Sequence, residues 1–109
     1  MIVVSNTSPI TNLAAIGQLD LLQRIFGRVV VPDAVVQELT AGGVAWPGAV
    51  ELAQAAWVRV EEVSERYLVD ALRLELDHGE AAAIVLALQT GAGLILLDEQ
   101  AGRTAARYL

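Results

Sequence analysis

"GEAAAIVLALQTGAGLILLD", residues 79–98, is the stretch on which the fold turns. Small and apolar residues from Ala81 to Leu88 read as a helix over about 79–90. Gly91-Ala92-Gly93 ends it, and "LILL" follows as an unbroken apolar run of strand length, closed by Asp98. A strand apolar at every position has both faces covered, as strands do in a parallel sheet packed between helices. Of all the strands in the chain, this one reads as the most convincingly buried.

The same alternation extends outward in both directions. Residues 2–5 form a short apolar strand, and a helix opens with Ser8 as N-cap and Pro9 at its first position, running to Gly17. "LDLLQRIF" at 19–26 is a helix closed by Gly27, "RVVV" at 28–31 a second strand, and Pro32-Asp33 opens a helix to about Thr40. Loop residues 41–48 lead to a helix at about 48–56. "WVRVEEV" at 57–63 alternates like a half-exposed edge strand. A helix spans about 65–75, and a last one begins near Glu99. Strands that alternate with helices predict an α/β domain with a parallel sheet.

Composition narrows the function. The 109 residues suffice for one domain with one core, and there are no repeats or linkers to divide them. Zero cysteines remove disulfides, thiolate zinc sites and cysteine nucleophiles. All seven basic residues are arginine, so chemistry that needs a lysine, such as a P-loop, is excluded. The longest apolar run, "AAAIVLAL" at 81–88, is far short of the roughly 18 residues of a membrane span. No charged segment precedes the apolar start, so no secretory signal is expected and the cytoplasm is the default location. A net charge of −6 makes the chain a weak electrostatic magnet for nucleic acid. A hydrophobic content of 55% leads us to expect a homodimer or higher homo-oligomer.

In a parallel α/β sheet, strand C-termini and helix N-termini share one edge, where ligands bind. Asn6 follows the first strand, Asp98 ends the "LILL" strand, and Glu80 lies in the first turn of the preceding helix. Glu38 is five residues into the helix that begins at Asp33, about 7–8 Å below that edge at 1.5 Å per residue. Four oxygen-bearing side chains from separate segments thus converge. Oxygen donors suit hard cations such as Mg²⁺ and Mn²⁺, which also relieve repulsion among crowded carboxylates.

"VVSNTSPITNLAAIGQLDLL" at 3–22, "VVVPDAVVQEL" at 29–39 and "HGEAAAIVLALQTGAGLILLDEQAGR" at 78–103 strongly resemble the PIN-domain family, in particular small prokaryotic PIN-like proteins. The resemblance covers essentially the whole chain, in order. It implies a three-layer domain with a central parallel sheet flanked by helices. It also implies a Mg²⁺- or Mn²⁺-dependent endoribonuclease acting on RNA, often the toxin partnered by an antitoxin protein. Carried over residue by residue, the catalytic and metal-binding set is Asn6, Glu38, Glu80 and Asp98, with Thr7 and Ser8 as flanking hydroxyls toward substrate. Arg103, a cation near the start of the last helix, is expected to contact a substrate phosphate. Two departures stand out. Asn6 is an amide where the family has an aspartate, and the chain stops at Leu109 where members continue with a further strand and helix. Residues 1–109 are therefore expected to form a single PIN-like domain lacking that C-terminal strand and helix.

Each residue also has a plainer role open to it. Asp77 to Glu80 fits a capping box, Asn6 an Asx turn, Glu38 a solvated helix position and Asp98 a helix N-cap. His78 is expected beside the cap and exposed. Arg103 and Arg107 share a helix face, and Trp46 and Trp57 are expected to serve packing rather than base stacking. A weakened PIN-like module that binds nucleic acid or protein is the alternative to the enzyme. A receiver or nucleotide-binding domain shares the architecture but lacks its lysine and its glycine-rich motif.

Overall fold

The computed structural model describes residues 1–41 and 47–97. The expected helix from Glu99 lies outside the described residues, as do Trp46, Asp98, Arg103 and Arg107. The order of elements is β1 (Val3–Ser5), α1 (Thr7–Ala15), α2 (Asp20–Phe26), β2 (Val29–Pro32) and α3 (Asp33–Thr40), followed by α4 (Ala49–Gln54), β3 (Val58–Glu61), α5 (Arg66–Leu72), α6 (His78–Thr90) and β4 (Leu94–Leu96). The four strands make one sheet in the order β3-β2-β1-β4, and every neighbouring pair is parallel. The α/β reading holds, and the half-exposed strand expected around 57–63 is β3, at one edge of the described sheet.

Strand periodicity divides the core between the two faces. Val4, Val30 and Ile95 are in register across β1, β2 and β4, and they pack against α6. Val29, Val31, Val58 and Leu96 point the other way, into a second cluster with Ile10, Leu22, Val35, Leu39 and Leu52 from α1 to α4. Trp57 packs against that second cluster, in the structural role expected for it. Helix α6 is buried at every position from Ala81 to Ala87. A helix apolar all round is a core helix, and its alanines let it lie close to the sheet while α5 packs on it. Gly91 ends it with a positive φ of 67°, a conformation that glycine adopts without strain.

Two expectations are corrected. Asn6, not Ser8, is the N-cap of α1, so Thr7 and Ser8 lie in its first turn and Pro9 is its third residue. Proline is tolerated there because the N–H groups of the first turn have no partner within the helix. The "LILL" strand is not the most buried one. In β4, Leu94 is exposed and Ile95 and Leu96 are half-buried, whereas all three residues of β1 are buried. The cause is position: β1 is paired on both sides, and β4 lies at the edge of the described sheet, paired only with β1.

Candidate functional site

The chain leaves β1 at Ser5 and enters α1 at Thr7, so Asn6 bridges a strand end and a helix start. Its backbone N–H donates to the Leu96 carbonyl at 3.0 Å, extending the β1–β4 ladder by one rung. Ser5 and Asn6 are the buried polar residues of the described chain, at 0% and 2% exposure. The Ser5 hydroxyl donates to the Asn6 carbonyl at 3.0 Å. The Asn6 side chain, by contrast, forms no capping hydrogen bond, and its Oδ1 is buried without a partner. An unsatisfied buried acceptor costs about 1–3 kcal/mol, and in a native protein it points to a ligand, an ion or water. The Asx turn open to Asn6 does not form.

The neighbouring residue reaches across to α3. Thr7 Oγ1 donates to Glu38 Oε2 at 2.6 Å, a length typical of a charge-assisted bond to a carboxylate. The other oxygen of Glu38 lies against the start of α6, where a Cβ at Gly79 would fall 2.5 Å from Oε1. Only glycine leaves that carboxylate its place. The positive end of the α6 dipole favours an anion there. Glu38 is therefore no solvated surface residue: it joins the beginnings of α1 and α6 through one carboxylate.

Glu80 follows Gly79 in the same first turn and is half-buried. Its N–H donates to Asp77 Oδ1 at 2.8 Å, so Asp77 caps α6 as the capping-box reading anticipated. His78 is exposed beside that cap, again as expected. Ser8 is half-buried, and its carbonyl accepts from Thr11 Oγ1 at 3.1 Å. Asp98 and Arg103 lie outside the described residues.

Asn6 thus lies at a strand end and Glu80 in the first turn of α6, while Glu38 reaches them from the second half of α3. Contact links Asn6 through its neighbour Thr7 to Glu38, and Glu38 to the residue before Glu80. Among the described residues, no three His, Asp or Glu side chains gather closely enough to hold a metal ion. The described donors are an amide oxygen and two carboxylates. Hard oxygen donors of this kind fit Mg²⁺ or Mn²⁺, and the unpartnered Oδ1 of Asn6 is suited to a cation.

Sequence reasoning placed Thr7 as a flanking hydroxyl but missed its carboxylate partner, and it missed Gly79 altogether. The available signal was a glycine in the first turn of an otherwise strong helix former, a choice that costs about 1 kcal/mol relative to alanine and calls for a reason.

Among the described residues, no helix is long and apolar enough to cross a membrane. No curated protein matches this sequence. The model of one family, DUF3368, described as a PIN domain, matches residues 2–109. With that match, the four-stranded parallel sheet between helices and the polar strand end at Asn6, the chain belongs to the PIN-domain family, whose members are of nuclease type, generally use divalent metal ions and bind nucleic acid.

Proposed function

We propose that this chain is a metal-dependent endoribonuclease of PIN type, with Asn6, Glu38, Glu80 and Asp98 as the residues that hold the metal. The observation that carries the reading is the Glu38 carboxylate. It is seated against Gly79 and held by Thr7, whose neighbour Asn6 has a buried amide oxygen without a partner. When bound there, Mg²⁺ or Mn²⁺ supplies charge stabilisation at a phosphodiester and lowers the pKa of water.

The protein's own part is positional. Thr7 fixes the direction of one carboxylate oxygen, and the missing side chain at residue 79 leaves room for the other. Burial of Asn6 excludes bulk water from its oxygen. Thr7 and Ser8 line the approach as hydroxyls, and Arg103 is assigned to a substrate phosphate. Following the toxin members that the sequence resembles, the reading extends to an antitoxin protein as partner. Self-association belongs to it as well, supported by exposed large apolar side chains such as Ile16, Ile25, Tyr67 and Leu74.

The second reading, a weakened PIN-like binding module, is favoured by one observation: residue 6 is neutral, so the site has one negative charge fewer than an all-carboxylate set. Mn²⁺ separates the two. A metal-binding site stabilises the native state by mass action, so millimolar Mn²⁺ should raise the melting temperature, and single-stranded RNA should be cut only with metal present. Glu38→Ala should abolish both effects. If wild-type protein shows neither a metal-dependent melting shift nor cleavage, the binding module replaces the enzyme.

A further inference from the structure

Next to the candidate site, α3, α5 and α6 enclose a cavity of about 270 Å³. That is just below the roughly 300–1,000 Å³ of sites for drug-sized ligands, and so it suits one small ring system. Ala34, Val63, Val69 and Ala82 form its apolar wall. Charged and polar groups stand around it: Asp33 from α3, Arg66, Asp70 and Arg73 from α5 and its end, and His78 from α6. Residues 66, 70 and 73 share one face of their helix by the i, i+4, i+7 rule.

The state of those charges selects the ligand. Arg66 is engaged by Glu62, with Nη2 to Oε1 at 2.7 Å. Asp33 accepts from the Ala34 N–H with Oδ1 alone, at 3.0 Å. The side chains of Asp70, Arg73 and His78 have no hydrogen-bond or ion-pair partner among the described residues. Among the described residues, two carboxylates stand against one uncommitted arginine, a balance that disfavours a phosphate. They suit a neutral, flat group that offers acceptors to an arginine and donors to a carboxylate while its faces meet apolar side chains.

A nucleobase has that form, and in single-stranded RNA its edges are free to be read. Guanine matches best. Its O6 and N7 accept the paired donors of an arginine, and its exocyclic amine donates to a carboxylate.

Two of the elements that line the cavity also carry the seat of the Glu38 carboxylate. Ala34 lies one turn before Glu38 on the same stripe of α3. On α6, His78 directly precedes Gly79, which touches Glu38, and Ala82 lies one turn further on. We infer that this cavity seats a guanine base of the RNA strand adjoining the cut, read by Arg73 and Asp70. The inference rests on the nuclease reading for its strand but not for its binding chemistry.

The test is calorimetric titration of the full chain, free of divalent metal, with guanosine 5′-monophosphate. Cytidine 5′-monophosphate and inorganic phosphate serve as controls. Saturable binding of the guanine nucleotide, at least tenfold tighter than either control, is expected. Arg73→Ala and Asp70→Ala, both at exposed positions, should each weaken it about tenfold or more while leaving the far-ultraviolet dichroism unchanged. Equal affinity for the cytidine nucleotide or for phosphate overturns the proposal, as does undiminished binding in both variants. If guanine binds as expected but Mn²⁺ neither stabilises the protein nor supports cleavage, the metal nuclease reading falls alone. Metal-dependent cleavage without guanine binding removes only the base site.

Discussion

Two stretches of α6 are adjacent in sequence and follow opposite rules. From Ala81 to Ala87 every residue is buried in the core, and the polar groups are backbone amides bonded within the helix. One turn earlier, between His78 and Glu80, Gly79 borders a carboxylate from α3, and an unpartnered amide oxygen lies at the end of β1. The middle of the helix spends its side chains on apolar burial. Its beginning gives up a side chain, at Gly79, to make room for a charge. Stability and function should therefore separate along one helix, and substitutions can show whether they do.

The largest effect is expected in the middle. Ile84→Ala removes a side chain that is 1% exposed and leaves a cavity between α6 and its neighbours. Chemical denaturation should show a loss of about 2–5 kcal/mol, as for other buried Ile-to-Ala changes. The melting shift produced by Mn²⁺ should persist in this variant. If that shift vanished with the stability, the two stretches would not be independent.

Asn6→Asp should have an intermediate effect, with opposite signs in the two conditions. Without metal, a second carboxylate near Glu38 raises the cost of ionisation, and stability should fall by about 1 kcal/mol, the equivalent of roughly one pKa unit. With Mn²⁺ the added charge should strengthen binding, so the metal-induced gain should exceed that of the wild type, and RNA cleavage should rise with it. Melting curves with and without Mn²⁺ measure both signs. A variant equally stable in both conditions would show that residue 6 does not face the metal.

The smallest change in stability, and the sharpest contrast, is expected at Gly79→Ala. Alanine improves helix propensity by about 1 kcal/mol. Its methyl group would stand 2.5 Å from Glu38 Oε1, the free end of a flexible side chain that can swing away. Giving up the Thr7 hydrogen bond costs about 1 kcal/mol in return. The net change should stay within about 1 kcal/mol, yet the Mn²⁺ shift should be largely lost because Glu38 has moved. An unaltered Mn²⁺ response would mean that the carboxylate's seat against α6 has no part in holding metal.

Elements and their order were legible from the sequence because helix and strand periodicity are local properties. The runs at 29–31 and 94–97, the glycine at position 91 and the Asp77 cap each declare themselves within a few residues. The frame of a parallel sheet likewise led us to expect Asn6, Glu38, Glu80 and Asp98 at one edge. The depth of each strand was not legible. "LILL" reads as more buried than "VVS", but burial depends on how many neighbours a strand has, and pairing links residues about ninety positions apart. The α1 cap was misread for a related reason. Ser8-Pro9 is a good local start signal, but the Asn6 backbone is held by Leu96 in a distant strand, which sets where the helix begins.

By itself, then, the sequence determined an α/β chain with helices and strands in this order, and an oxygen-rich strand end at Asn6. The tertiary structure alone decided that Thr7 grips Glu38, that Gly79 is a vacancy for its carboxylate, and that Asn6 Oδ1 is buried without a partner. Periodicity specifies which face of an element is apolar, but not which side chain of another element arrives beside it. That depends on packing among α1, α3 and α6, where a single methyl group at residue 79 separates contact from collision.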